Sequence, residues 1–118
     1  GSAIYDTKNY GDVVSTTKAA AGGILCLVNA DDNVLDGVEN YGNVITDRAN
    51  NAYKGTFFGQ CSKNATIANC VAGGAVGMYN GGNYQMETIT ADNYFDFIGQ
   101  VGSAAKSVTK ENIRYGTK

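Results

Sequence analysis

The chain repeats itself. Gly22-Gly23-Ile24-Leu25-Cys26-Leu27 returns as Lys54-Gly55-Thr56-Phe57-Phe58-Gly59, and the match continues without a gap. Leu35 falls on Ile67, Val38 on Cys70, Gly42 on Gly74 and Val44 on Val76, a constant spacing of 32 residues. A third copy follows, where Phe57-Phe58-Gly59-Gln60 becomes Phe97-Ile98-Gly99-Gln100 at a spacing of 40. A partial copy precedes them, because Asn9-Tyr10-Gly11-Asp12-Val13 reappears as Asn40-Tyr41-Gly42-Asn43-Val44. Self-similarity at a period of roughly 20–50 residues marks solenoids, propellers and arrays. One copy holds too few apolar side chains to cover its own backbone, so stacked neighbours must supply most of the stability.

The 118 residues therefore read as one repeat-built domain spanning 1–118. It comprises a partial copy at 3–14 and copies near 22–44, 54–76 and 93–117. A repeat cut through its first copy, behind Gly1-Ser2, reads as a segment excised from a larger protein. Gly and Asn punctuate short β-prone runs, and Pro is absent. Both residue types tolerate left-handed backbone, so they belong at tight turns. Apolar residues cluster in runs of four to six without helical spacing, which predicts an all-β chain. Strands are expected near 23–28, 34–38, 55–61 and 65–71, with an exposed strand over 85–90. Ala19-Ala20-Ala21 suits one helical turn, and 103–110 leaves room for a short helix. Stacking predicts columns of Leu25, Phe57 and Phe97, and of Leu35, Ile67 and Val108, with Gly42, Gly74 and Gly116 marking a shared corner.

The architecture expected is a short right-handed parallel β-helix or solenoid of about three repeats. A threefold β-prism or β-trefoil is the alternative, since three copies also suit closed β folds that bind sugars. Unequal periods and the partial first copy favour the open form.

Chemistry is sparse. Nine Lys and Arg are scattered along a chain of net charge −2, so no basic stripe exists to hold nucleic acid. Without histidine, no Ser-His-Asp or Cys-His arrangement is possible. Three cysteines, Cys26, Cys61 and Cys70, lie in or beside apolar runs and read as small core hydrophobes. A Cys61–Cys70 bridge stays open. No CxxC pair supports zinc, and Asp31-Asp32-Asn33 has no acidic counterpart at Lys63-Asn64-Ala65, so a calcium ladder is not expected. No metal or cofactor is called for. The longest apolar stretch is far short of the roughly 18 residues of a membrane span. A carboxylate pair assembled across adjacent repeats would suit glycoside hydrolysis, but turn carboxylates are common in any such array. The best candidate for ligand contact is Tyr79, Asn80, Asn83 and Tyr84, where two tyrosines flank Asn-Gly-Gly-Asn in a segment longer than its counterpart after copy one. A flat ring with a polar tip, beside amides, suits sugar or peptide recognition.

Gly22-Gly23-Ile24…Val34-Leu35-Asp36-Gly37-Val38 through Val44, and Thr56-Phe57-Phe58-Gly59…Ala65-Thr66-Ile67-Ala68-Asn69-Cys70 through Val76, resemble the GLUG repeat. In that family a Gly-Gly-[Leu/Ile]-Val-Gly run precedes a Thr-Ile-x-Asn-Cys run, in tandem. Two departures stand out: Leu25-Cys26-Leu27 lacks the second glycine of the first run, and Asn-Cys survives only at Asn69-Cys70. The resemblance implies a β-helix-like array in secreted or surface-anchored bacterial proteins, with catalysis carried elsewhere. The expected function is thus a non-catalytic adhesion or stalk module at the bacterial surface or outside the cell, partnered by a host or cell-surface glycan or protein. A glycan-binding module using the Tyr79–Tyr84 segment is the alternative, and a polysaccharide-degrading β-helix enzyme is a third reading.

Overall fold

The computed structural model describes residues 3–16, 21–28, 31–47, 54–61, 63–80, 83–92 and 108–116. It is all-β, with no helix among the described residues. The first passage of chain carries β1 (Ala3–Tyr5), β2 (Lys8–Asn9), β3 (Val13–Ser15), β4 (Ala21–Gly22) and β5 (Leu25–Val28). The second carries β6 (Asn33–Asp36), β7 (Glu39–Asn40), β8 (Val44–Thr46), β9 (Lys54–Gly55) and β10 (Phe58–Cys61). Then follow β11 (Ala65–Ala68), β12 (Val71–Ala72), β13 (Ala75–Asn80), β14 (Asn83–Thr88), β15 (Val108–Glu111) and β16 (Arg114–Tyr115).

Each strand lies beside its counterpart from the passage before. The sheets run β1-β6-β11-β15, β2-β7-β12-β16, β3-β8-β13-β14, β4-β9 and β5-β10, and every pairing is parallel except β13 with β14. Ile4 pairs with Leu35 and Leu35 with Ile67; Val13 pairs with Val44 and Val44 with Val76. Leu35, Val38, Val44, Phe57, Phe58, Ile67, Cys70 and Val76 are fully buried and form one core. Burying each large side chain of this kind stabilises by about 1.5–3 kcal/mol.

The register corrects the expected columns in three places. Leu25 pairs with Phe58, not Phe57, because the connection before β9 is two residues longer than the one before β4 and moves the spacing from 31 to 33. Val108 pairs with Ala65, and the place beyond Ile67 belongs to exposed Lys110, so that apolar column stops at Ile67. Gly116 sits over Gly73, its amide donating to the Ala72 carbonyl at 3.1 Å, while Gly11, Gly42 and Gly74 share the other glycine column. Phe97 lies outside the described residues, as do residues 17–20 and 103–107. Ala21 and Val108–Lys110, at the edges of the two expected helical pieces, are strand. The third connection is longer because β13 folds back on β14 as a hairpin.

Two corners show why these residue types recur. Asp6, Gly37, Asn69 and Asn112 follow one another in register, and all four have left-handed backbone, with φ of 50°, 72°, 54° and 54°. Only Gly, and to a lesser degree Asn and Asp, take that conformation at low cost. In the second column backbones nearly touch: a Cβ on Gly74 would stand 1.9 Å from the Gly42 carbonyl oxygen, and one on Gly42 would stand 2.0 Å from that of Gly11.

Beside this column lies the buried Asn40. Its Nδ2 donates to the Thr56 carbonyl at 2.9 Å and to Thr56 Oγ1 at 3.0 Å. Its Oδ1 accepts from Asn9 Nδ2 at 2.9 Å and from the Gly42 amide at 3.1 Å.

Gly74→Ala should lose about 3 kcal/mol of stability in denaturant titration, since overpacking at backbone contact has nowhere to relax. Gly11→Ala, in the same column but facing only Asn9 Oδ1 at 3.9 Å, should stay within about 0.5 kcal/mol of the parent. Asn40→Ala leaves buried donors and acceptors without partners and should cost about 2–4 kcal/mol in the same measurement.

Candidate functional site

Tyr79 and Asn80 end one strand and Asn83 and Tyr84 begin the next, so these four residues are strand rather than loop. In the β13–β14 hairpin Tyr79 stands opposite Tyr84 and Asn80 opposite Asn83; Gly81 and Gly82 lie outside the described residues. The Tyr79 and Tyr84 rings pack at 5.2 Å between centroids with planes 51° apart. Tyr84 is 57% exposed, Asn83 is exposed and Tyr79 is half-buried. The fold thus brings Tyr79, Asn83 and Tyr84 together, but as a tilted cross-strand pair rather than two rings flanking a cleft. All six residues of β14 are exposed, and the Met86 thioether lies across Gly77, where a Cβ would meet its sulfur at 2.1 Å.

A second aromatic surface is flatter. Tyr10 and Tyr41 stack with centroids 5.2 Å apart and planes 16° from parallel. They follow Asn9 and Asn40, which share a register, so the rings form a ladder. The Tyr41 hydroxyl donates to Glu39 Oε1 and accepts from Arg114 Nη2 at 3.3 Å. Lys8 Nζ pairs with Glu39 Oε2 at 3.5 Å. Glu39, as hydrogen-bond acceptor, holds the Tyr41 hydroxyl above its ordinary pKa, and its charge raises that of Lys8.

One place further along, Gly73 and then Gly116 stand where a third and fourth ring would be. A groove of about 370 Å³ opens there, lined by Tyr41, Asn43, Gly73, Gly74, Thr88 and Gly116, with Ala75 beneath. Asn43 Oδ1 accepts from the Ala75 amide at 3.0 Å, which fixes the carboxamide on the groove wall. The sequence carried a signal for this surface in the repeated Asn-Tyr-Gly, but a spacing of 31 residues does not by itself say that two rings stack.

The Asp31–Asn33 turn is occupied by structural bonds. Asp31 Oδ1 accepts from the Asn64 amide at 3.3 Å, and Asn33 Nδ2 donates to the Asn64 carbonyl at 3.0 Å. No cluster of three or more metal-ligating side chains occurs among the described residues.

All three cysteines are free thiols. Cys61 and Cys70 are buried as expected, but Cys26 is exposed. Burial pushes the Cys61 and Cys70 thiols up, which keeps them protonated. Cys61 Sγ donates to the Lys63 carbonyl at 3.0 Å and Cys70 Sγ to that of Ala68 at 3.1 Å. Lys54 is 2% exposed, and burial pulls its ammonium below the usual lysine range, partly offset by the Glu87 carboxylate. No helix of the described residues is long and apolar enough to cross a membrane.

Comparison with protein-family models, curated proteins and solved structures returns no match.

The raised Cys70 thiol makes stability depend on pH. The unfolded thiol ionises near 9.0 while the buried one stays protonated, so the folded state holds more protons above that pH and stability falls as pH rises. Cys70→Val places at this site the residue that the preceding passage carries at Val38. It should change stability at pH 7 by less than about 1.5 kcal/mol. The alkaline decline, followed by denaturant titration upward from pH 8, should be shallower than in the parent. Lys54 acts in the opposite sense, but equally in both proteins, so the difference isolates the thiol.

Proposed function

We propose that the chain is a short right-handed parallel β-helix serving as a non-catalytic adhesion or stalk module of a bacterial surface or secreted protein. The observation that carries this is the register. Strands at five successive positions pair in parallel with the strands 31 to 33 residues on, always in the same order. A chain that returns to the same sheets in sequence winds, and parallel crossovers are right-handed almost without exception. β-Prisms and β-trefoils are built from antiparallel neighbours, so the parallel pairing weighs against them. The resemblance to GLUG repeats supports the same reading and the extracellular setting.

Surface chemistry agrees with a binding or spacing role. The buried thiols are protonated, Lys8 pairs with Glu39 at the surface, and the exposed Tyr5 and Tyr84 lie on edge strands. The alternative, a glycan-binding module centred on the hairpin, draws support from the exposure of Tyr84 beside Tyr79.

Display of the chain on a bacterial surface, followed by attachment assays on immobilised glycans and matrix proteins, tests the module reading. The expected result is attachment, or none, without release of new reducing ends from the glycans. Steady release that disappears when a single Asp or Glu is neutralised would overturn it in favour of the hydrolase. On the hairpin alternative, Tyr84→Ala abolishes attachment to glycans without unfolding the protein.

A further inference from the structure

The same hydrogen bonds recur from one passage of chain to the next. The Glu39 amide donates to the Thr7 carbonyl and the Tyr41 amide to that of Asn9, both at 2.8 Å, while the Asn43 amide donates to Asp12 Oδ1 at 2.8 Å. One passage on, Val71 donates to Val38 at 3.0 Å, Gly73 to Asn40 at 2.7 Å and Ala75 to Asn43 Oδ1 at 3.0 Å. The first passage repeats this pattern with nothing before it among the described residues. β1, β2 and β3 are all edge strands, and the Lys8, Tyr10 and Asp12 amides stand where those of Glu39, Tyr41 and Asn43 stand one passage later. Asn9 Oδ1 accepts only from the Gly11 amide, whereas Asn40 Oδ1 accepts from both Gly42 and Asn9. Gly11 is the plainest sign. Gly42 and Gly74 must be glycine because a carbonyl of the preceding passage lies about 2 Å from any Cβ, but Gly11 has neither such a neighbour nor a positive φ. Ile4 and Val13 are half-buried, while Leu35, Val44, Ile67 and Val76 in their columns are 1% exposed or less. Tyr5, Tyr10 and Val14, at the same end, are 59%, 61% and 52% exposed. The opposite end is closed differently: Lys110 takes the place beyond Ile67, and β14 covers the edge of β13.

We infer that the first-passage end is a docking surface for one further coil of this repeat, supplied in tandem by the same polypeptide. That coil runs parallel to β1, β2 and β3 and carries Asn-Tyr-Gly followed by Asn or Asp. Its carbonyls receive the Lys8 and Tyr10 amides, and its Asn or Asp oxygen receives that of Asp12. Its asparagine donates to Asn9 Oδ1, as Asn9 donates to Asn40. Its tyrosine stacks on Tyr10 as Tyr10 stacks on Tyr41, and its glycine carbonyl enters the space that Gly11 leaves open. Extended chain added to a sheet edge gains affinity from main-chain bonds and specificity from side chains, and here both point to the same motif. A second copy of this chain does not fit. Its far end brings Arg114 against Lys8, Lys110 against Ile4, and Tyr115 where Asn9 needs a donor. Two first-passage ends set face to face oppose one Asn9 acceptor to another.

This docking rests on the β-helix reading and adds a partner and a face to it. The test joins a second copy of residues 3–33 ahead of Ala3, at the 31-residue spacing that separates β2 from β7, and follows amide hydrogen exchange by NMR. The Lys8, Tyr10 and Asp12 amides of the original passage should slow by about tenfold or more, and the denaturant midpoint should rise. Gly11→Ala in the original passage, tolerated in the chain alone, should abolish both gains. Its methyl would meet the added glycine carbonyl, just as a Cβ on Gly42 would meet that of Gly11. An extension of the same residues in scrambled order should give neither gain. If the first extension does not fold, residues 34–65, which carry Asn40-Tyr41-Gly42-Asn43 at the spacing of β6 and β11, take its place with the same expected result. If both extensions leave Lys8, Tyr10 and Asp12 exchanging freely while Glu39, Tyr41 and Asn43 stay protected, the docking surface is overturned and the β-helix reading stands. Free exchange at Glu39, Tyr41 and Asn43 in the unextended, folded chain would overturn the winding itself.

Discussion

The Asn40 carboxamide joins three segments of the chain at one buried point, accepting from Asn9 and Gly42 and donating to Thr56. Much of the structure depends on that arrangement. A buried amide left without partners costs about 1–3 kcal/mol for each group stranded. The bond to Asn9 exists only in one alignment of neighbouring passages, whereas the bonds to Thr56 tie β7 to the residue after β9 within the second passage. A slip of one residue would break the first and would also turn each core side chain to the opposite face. The register therefore carries a polar penalty for error as well as an apolar one.

The Gly11–Gly42–Gly74 column belongs to the same device. Because carbonyl oxygens stand within about 2 Å of where a Cβ would be built, the corner beside Asn40 closes with no side chain between passages. That tight corner directs the neighbouring tyrosines outward, where Tyr10 and Tyr41 stack in step with the strands. In the next passage the residue facing that ladder is Gly73, and the ladder ends in a groove. Interior register and outer surface are thus two consequences of one alignment.

Much of this was legible in the sequence. Leu35 on Ile67 and Val44 on Val76 pair as the 32-residue spacing implied, and Asn9-Tyr10-Gly11 sits on Asn40-Tyr41-Gly42. The short strands near 23–28, 55–61 and 65–71 and the exposed strand near 85–90 are present within a few residues of where alternation placed them. What failed did so where spacing changes. Leu25 meets Phe58 because two added residues before β9 shift that column, and Val108 meets Ala65 because the third connection carries a hairpin. Pattern matching aligns letters that look alike, whereas backbone hydrogen bonds align whichever residues the connection length delivers. Cys26 was misplaced for a related reason: inside a continuous apolar run, periodicity does not say which side chains face out. The candidate residues Tyr79, Asn83 and Tyr84 were recognised as a group, but antiparallel pairing turned them into a cross-strand pair.

The sequence by itself determined that the chain is all-β, that its passages repeat at about 32 residues, and that Gly and Asn stand at its turns. Those are local properties: side-chain alternation, turn chemistry and the inability of one repeat to bury its own backbone. Only the tertiary structure decided that Asp6, Gly37, Asn69 and Asn112 occupy one left-handed column, that Asn40 bridges three segments, and that two tyrosines stack beside a glycine gap. These depend on which residues lie side by side across neighbouring passages. That is fixed by connection lengths and backbone contact, neither of which is written in any one segment.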